Sequence, residues 1–139
     1  MIREYVDTGR VSILYRHFPF IGNESWRAAE ASECAAEQNR FHEYEETVYL
    51  NWNGENQGEF SDANLRVFAE MTGLFLNQYD DCMSSNKYLA KVQADFDDGT
   101  AAGVNSTPTI FLNGEIIGGL RDYGGYRVKI EQALAEVGG

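Results

Sequence analysis

The side chains best suited to nucleophilic or metal-binding chemistry are two cysteines, Cys34 and Cys82, and two histidines, His17 and His42. A cysteine thiolate attacks disulfides and binds zinc, and both kinds of site usually place two cysteines in a CxxC spacing. No CxxC motif occurs in this sequence, and the two cysteines lie too far apart for a metal knuckle. We therefore expect no zinc or other metal site and no cofactor.

The histidines and the adjacent acids are weaker candidates for catalysis. His17 lies in an extended segment ending in HFP without a cysteine or paired acid, so we expect a hydrogen-bonded, half-buried side chain. His42 opens a predicted helix on a mixed face, where solvation is expected. Adjacent carboxylates on a helix point apart, which argues against a glycosidase-like pair. These pairs are Glu45-Glu46, Asp80-Asp81 and Asp97-Asp98.

Composition narrows the class of protein. The 139 residues suffice for one domain, and 43% hydrophobic residues are ordinary for a globular chain. A net charge of −11 repels phosphate backbones and anionic lipid, so we expect no nucleic-acid partner and no membrane partner. No run of about 18 apolar residues occurs. The first residues, MIREYVDTG, also lack the continuous apolar stretch of a signal peptide.

Helical patterns dominate the middle of the chain. A short helical piece closed by Gly9 comes first, and an alanine-rich helix is expected from Asn23 as its N-cap. Ser61 is a second predicted N-cap, Gly73 ends that helix, and further helical patterns continue to Gly103. The expected inward residues are Ala28, Ala31 and Ala35; Phe41, Tyr44, Val48, Tyr49 and Trp52; Tyr79, Cys82 and Met83; Tyr88, Leu89, Val92 and Phe96; and, in a terminal helix, Tyr126, Ile130, Ala133, Leu134 and Val137.

Extended patterns flank this helical block. The segment Arg10 to Phe18, RVSILYRHF, has the composition of a strand. Two further strands, TIFLN and EIIGG, flank Asn113-Gly114, the preferred dipeptide of a two-residue type I′ hairpin turn. Strands on both sides of a helical insertion imply one sheet formed across the insertion, which predicts an α/β protein.

Four stretches carry a resemblance to a known family: YRHFP after the first predicted strand, AAEASECAAEQNRFHEY in the helical block, GVNSTPTIFLNG before the hairpin, and the closing helix. Together they resemble the DsbA family of thioredoxin-fold thiol-disulfide oxidoreductases, from about Glu4 to Val137. The resemblance implies an α/β, thioredoxin-like fold of the DsbA type with a helical insertion, incomplete at its N-terminus. It predicts one domain over 1–139, with the insertion at 20–103 and remnants of the thioredoxin core at 1–19 and 104–139.

The most specific stretch, Gly103 to Gly114, is similar to the family's cis-proline loop and hairpin. The resemblance implies a cis Thr107-Pro108 bond and places Ser106, Thr107 and Pro108 in a substrate-binding loop, where the Thr107 backbone pairs with an extended polypeptide. In the family this loop lies against a catalytic CxxC pair at the start of a helix. That helix and the strand before it precede the part of the family that this sequence resembles. We therefore assign no catalytic residue and expect the chain to be redox-inactive by itself.

The family often has a second, structural disulfide in its helical insertion. The resemblance implies that Cys34 and Cys82 form this cross-link, and two unreactive free thiols are the alternative. Both cysteines are predicted inside helices, without a basic neighbour or a helix N-terminus, so neither is expected to be activated. The family and a disulfide favour an extracytoplasmic location, whereas the sequence shows no signal peptide; loss of an N-terminal segment would reconcile the two.

Three hypotheses for the function follow. The first is a DsbA-type oxidoreductase that lacks its catalytic start, and the second is a non-catalytic, chaperone-like module that binds peptides through the proline loop. The third is a glutathione-dependent transferase or isomerase of the same superfamily, which can dispense with CxxC. Without the family's central strand, the strands at Val11 to Phe18 and Thr109 to Asn113 have open apolar edges, which recruit other strands. We therefore expect a rearranged sheet, a dimer or a strand-completed assembly.

Overall fold

A computed structural model describes residues 2–117 and 122–138 of the chain. The contacts of the chain form two compact units. The helical unit is Arg16–Gly103, and the terminal unit combines residues 1–15 with 104–139. The single domain with an insertion at 20–103 stays a prediction.

The regular structure of the described residues consists of six α-helices, one two-stranded sheet and a short π-helical segment at Ile2–Val6. The helical unit contains α1 (Asn23–Ala36), α2 (Phe41–Leu50), α3 (Asp62–Met71), α4 (Leu76–Ser84) and α5 (Leu89–Ala101). The terminal unit contains β1 (Phe111–Leu112), β2 (Glu115–Ile116) and α6 (Tyr123–Val137).

The core of the helical unit is built around α1, which packs against α2, α3, α4 and α5. The inward face of α1 carries Ala31 and Ala35, both fully buried, and such small side chains let neighbouring helices approach closely. Tyr44 of α2 is also fully buried, and its hydroxyl donates to the Leu65 carbonyl at 2.9 Å. This hydrogen bond satisfies the polar end of a side chain that otherwise contributes apolar area to the core.

Four helical segments of the described residues end in the same way: a residue of positive φ follows the helix, and the N–H after it donates back to the last turn. At Gly73, for example, φ is 73°, and the next N–H, that of Leu74, donates back to the Ala69 carbonyl at 3.0 Å. This arrangement satisfies carbonyls that a helix end leaves unpaired. The predicted helix ends at Gly9 and Gly73 are confirmed, and asparagines take the same position after α1 and α4.

Several residues predicted to face inward are exposed instead: Tyr49, Trp52, Leu89 and Val137. Trp52 lies beyond the end of α2 and Val137 is the last residue of α6, so neither is held on a packed face. A periodic pattern predicts which face of a helix is apolar, but the neighbouring elements decide how much of that face they cover. The predicted N-cap Asn23 is the first residue of α1, and Gly22 precedes it at the cap position.

A buried tyrosine holds the terminal unit together. Tyr5 is fully buried, and its hydroxyl donates to Glu131 Oε1 at 2.8 Å. Arg10 Nη2 donates to the other oxygen of the same carboxylate at 3.0 Å. Because Glu131 belongs to α6, these contacts tie the start of the chain to its last helix. At the beginning of α6, Asp122 accepts the Gly125 N–H at 2.8 Å and so caps the helix.

The two strands form a hairpin with the turn that the sequence predicts. Phe111 pairs with Ile116 and Leu112 with Glu115 in an antiparallel register. Asn113 and Gly114 both have positive φ, 49° and 89°, as a type I′ turn requires. The glycines at 118 and 119, which the sequence places at the end of the second strand, lie outside the described residues.

The predicted strand from Val11 to Phe18 is wrong. Residues 11–20 adopt no regular secondary structure, and among the described strands β1 pairs with β2 alone. A strand exists only when its backbone groups pair with a neighbouring strand, and composition by itself supplies no neighbour. The apolar side chains of Ile13, Leu14 and Tyr15 are exposed, Leu14 at 76%.

This exposed segment leads to a prediction about association. We expect the chain to dimerise through residues 12–14, because an exposed apolar segment whose backbone pairs with no strand among the described residues recruits another strand. Leu14→Lys is expected to convert the dimer to a monomer in sedimentation velocity. The control is Leu50→Lys, since Leu50 on α2 is exposed to a similar degree. A native chain that stays monomeric at its highest soluble concentration would contradict the prediction.

Candidate functional site

The loop that precedes β1 contains the three residues predicted to bind substrate. Ser106, Thr107 and Pro108 are all exposed, and the Thr107–Pro108 peptide bond is cis. Thr109 Oγ1 donates to the Ser106 carbonyl at 2.6 Å and closes the loop into a turn. In the part of the chain that the structure describes, no hydrogen bond reaches the Thr107 backbone. Its N–H and C=O are therefore available to an extended polypeptide, as in the addition of a strand to an open edge.

The two cysteines lie in the helical unit and form a disulfide. Cys34 belongs to α1 and Cys82 to α4, with 6.0 Å between their Cα atoms. Both are buried, with exposed fractions of 1% and 4%, and they lie within the main apolar core. No free thiol is left, because the chain has two cysteines and both are in this bond.

A cluster of polar and charged groups, whose two carboxylates are buried, fixes the segment that was predicted as a strand. His17 Nε2 lies 2.8 Å from Glu33 Oε1 of α1, and the His17 backbone N–H donates to Asp95 Oδ2 of α5 at 3.2 Å. Arg16 Nη1 donates to Asp95 Oδ1 at 2.7 Å, and Lys91 Nζ donates to Glu33 Oε1 at 2.6 Å. Backbone and side-chain bonds to two helices thus replace the strand pairing that the sequence suggested.

These contacts shift the pKa values of both carboxyl groups, Glu33 and Asp95, in the same direction. Burial alone would raise the pKa of Glu33, but hydrogen bonds from His17 and Lys91 outweigh it and hold the pKa below its usual value. Burial would also raise the pKa of Asp95, and the hydrogen bonds from Arg16 and from the His17 N–H lower it instead. Both acids are therefore held in their charged form in the folded chain.

The structure places the two histidines differently. His17 is hydrogen-bonded as expected, but it is buried rather than half-buried. His42 is exposed, with Nδ1 3.9 Å from a carboxylate oxygen of Glu45. Sequence reasoning missed the acids of the cluster. The i, i+4 spacing of Lys91 and Asp95 was a signal for a pair on one helix face, whereas nothing local joins either residue to His17.

Within residues 2–117 and 122–138, no three His, Cys, Asp or Glu side chains are grouped so that they could hold a metal ion. None of the helices described there has both the length and the apolar character needed to cross a membrane.

The fold and the proline loop together define a thioredoxin-like protein of the DsbA type. A family model described as Thioredoxin matches residues 1–132. The chain therefore belongs to the thioredoxin family.

A solved structure supports the same class of fold. The chain is similar to oxidised BdbD from Bacillus subtilis, with a TM-score of 0.83 and 23% sequence identity. The match covers 96% of this chain and 74% of that one. It confirms the predicted thioredoxin-like fold with a helical insertion.

Curated relatives are of two kinds. The probable disulfide bond formation protein D of Bacillus cereus is 26% identical over 117 residues, which are 81% of this chain and 54% of that protein. The Na(+)/H(+) antiporter NhaA 3 of Salinispora tropica is 29% identical over 126 residues, 89% of this chain and 18% of the antiporter. NhaA 1 of Mycolicibacterium gilvum is 34% identical over 106 residues, 73% and 16% respectively. The chain thus spans less than a fifth of these antiporters and about half of the Bacillus cereus protein.

The disulfide between Cys34 and Cys82 gives a first prediction for the helical unit. Replacing both Cys34 and Cys82 with alanine is expected to lower the free energy of unfolding by about 2–4 kcal/mol, because the unfolded chain regains a loop of 48 residues. Urea unfolding followed by circular dichroism measures the change. Dithiothreitol is expected to destabilise the native chain but not the double variant. Equal stability of the two proteins would contradict a structural role for the bond.

The charge cluster gives a second prediction. The folded pKa values of Glu33 and Asp95 are lowered, so their contribution to stability is present above the unfolded pKa values and is lost as pH falls through the folded ones. The ordinary pKa values are 4.5 for a glutamate and 3.8 for an aspartate, so the loss of stability begins near those pH values.

Asp95→Asn is expected to reduce stability at pH 7 and to make the decrease toward pH 4 and below smaller than in the native chain. Urea unfolding across that pH range measures both effects. Asp81→Asn, at an exposed position on α4, is the matched control and is expected to keep the native pH profile. An unchanged pH profile for Asp95→Asn would contradict the assignment.

Proposed function

We propose that this chain is the peptide-binding part of a DsbA-like thiol-disulfide oxidoreductase, and that residues 1–139 by themselves do not exchange disulfides. The absence of disulfide exchange is inferred from one observation, the buried bond between the only two cysteines of the sequence. Thiol-disulfide exchange begins with attack by a thiolate, and its rate depends on access to the sulfur. A chain whose two sulfurs are bonded to one another inside a core has neither an attacking thiolate nor an accessible disulfide.

The loop at Ser106, Thr107 and Pro108 supports the proposal that the chain binds peptides. Its residues are exposed and the Thr107 backbone has no hydrogen-bond partner among the described residues, so both polar groups can pair with a passing chain. Main-chain hydrogen bonds of this kind give affinity without demanding one sequence, which suits a protein that handles extended polypeptides. A non-catalytic, chaperone-like module would use the same loop in the same way.

Reduction of insulin by dithiothreitol tests the redox half. We expect the native chain to leave the rate of insulin precipitation at that of dithiothreitol alone, whereas a CxxC-containing thioredoxin accelerates it. Acceleration by the native chain that disappears when Cys34 and Cys82 are both alanine would contradict the proposal, because the buried pair would then be a redox centre.

Nuclear magnetic resonance tests the peptide-binding half. The probe is the carboxymethylated insulin B chain, which is unfolded and has no free thiol. Titrating it into the 15N-labelled native chain is expected to shift the Thr107 amide signal more than the amide signals of α3. A B chain with N-methylated backbone amides is expected to bind about fivefold more weakly, since it cannot donate to the Thr107 C=O and that hydrogen bond is worth about 1 kcal/mol.

A control variant in the same unit sharpens this experiment. Gln132→Ala changes an exposed residue of α6 in the same unit and is expected to bind the B chain normally. Equal affinity for the methylated and unmethylated chains, or signal shifts that avoid Thr107, would contradict pairing through this loop. The redox result does not depend on this one, so the two halves of the proposal can fail separately.

A further inference from the structure

An open cleft of about 460 Å³ lies in the helical unit, away from the proline loop in sequence. One wall is a face of α1, formed by residues spaced three and four apart. The other wall consists of the start of α5 and of Asn86, which lies between α4 and α5. The lining residues are Asn23, Trp26, Arg27 and Glu30 from α1, and Asn86, Leu89 and Gln93 from the opposite wall. Its volume is in the range of small-molecule sites.

The cleft contains a buried carboxylate that the protein only half satisfies. Glu30 is 3% exposed, and its Oε1 accepts a hydrogen bond from Arg27 Nη1 at 3.1 Å. Its Oε2 is buried and has no hydrogen-bond partner among the described residues. Buried polar atoms are nearly always paired, so an unpaired carboxylate oxygen beside a cleft points to a missing donor.

The charges around Glu30 indicate which kind of hydrogen-bond donor fits the cleft. The Arg27 guanidinium is shared: it binds both oxygens of Asp62, at 2.8 and 3.1 Å, as well as Glu30. Arg27 also donates to Asn86 Oδ1 at 3.0 Å. One cation facing two carboxylates leaves an excess negative charge, so the cleft favours a cationic donor and disfavours an anion.

The residues of the two walls indicate which chemical group bears the cation. Trp26 and Leu89 present apolar surface to the cleft, and Leu89 was predicted to be buried but is exposed here. An aromatic face attracts an organic cation, and a leucine packs against a hydrocarbon stem. The amide side chains of Asn23 and Gln93 are exposed and can hydrogen-bond at the rim.

We propose that this cleft binds a primary alkylammonium group, whose N–H donates to Glu30 Oε2 while its stem packs against Trp26 and Leu89. The chemistry is that of a free alkylamine or of a lysine side chain in a polypeptide. The cleft shares no residue with the proline loop, and the inference does not rest on the proposed function.

The two tryptophans of the chain make the test internally controlled. Trp26 lines the cleft, whereas Trp52 is exposed beyond α2 and does not. Titration of the 15N-labelled full chain with n-butylammonium chloride is expected to shift the Trp26 indole signal to saturation and to leave Trp52 unmoved. Trp52→Phe assigns the two signals. 1-Butanol tests the stem without the charge, and tetramethylammonium tests the charge without an N–H.

The expected result is at least tenfold weaker binding for both of these analogues. Glu30→Gln is expected to weaken n-butylammonium to a similar extent. Glu46→Gln, an exposed change of equal charge on α2, is expected to have no effect. Should Glu30→Gln fail to fold, the comparison between n-butylammonium and tetramethylammonium on the native chain decides the question.

A second arm separates the two sources of the ammonium group. If Nα-acetyl-lysine amide binds more tightly than n-butylammonium, the natural ligand is a lysine of a polypeptide; the reverse order indicates a free amine. Three outcomes would overturn the proposal: equal binding of 1-butanol, shifts at Trp52 as large as those at Trp26, or a crystal grown with n-butylammonium in which only water contacts Glu30 Oε2.

Discussion

The helical unit depends on the close packing of α1 against four other helices. This contact is made possible by residues with little or no side-chain volume beyond Cβ, of which Ala31 and Ala35 are completely buried. Cys34 lies between them, and its bond to Cys82 joins α1 covalently to α4. Because every other helix of the unit touches α1, a larger side chain on its inner face would displace several neighbours at once.

The same helix also carries two buried acids that are treated differently. Glu33 is hydrogen-bonded to both His17 and Lys91, so partners from a loop and from α5 satisfy its carboxylate. Glu30 is bound through one oxygen to Arg27, and its second oxygen has no partner among the described residues. Buried carboxylates are stable only when donors surround them. The first acid therefore fastens the loop to the helices, whereas the second keeps one oxygen without a donor among the described residues.

How far the sequence predicted this structure depends on whether the signal was local. Helix ends at Gly9 and Gly73 and the Asn113-Gly114 turn were predictable, because each rests on a backbone conformation that few residue types adopt. Cys34 and Cys82 were paired by resemblance to a family and not by their positions. The absence of a strand at Val11 to Phe18 was not predictable, since strand formation needs a neighbour that composition does not describe. The contact of His17 with Asp95 joins residues 78 positions apart, which no local pattern shows.

The disulfide also bears on motion. The bond, the apolar core and the charge cluster all lie within Arg16–Gly103, so one cooperative unit contains every strong restraint on α1 and α4. In native-state hydrogen exchange, amides buried in such a unit exchange with deuterium only when the whole unit opens. The amides of residues 12–14, in a segment without regular structure, exchange without that opening. One chain thus combines a disulfide-linked part that exchanges slowly with an irregular segment that is labelled almost at once.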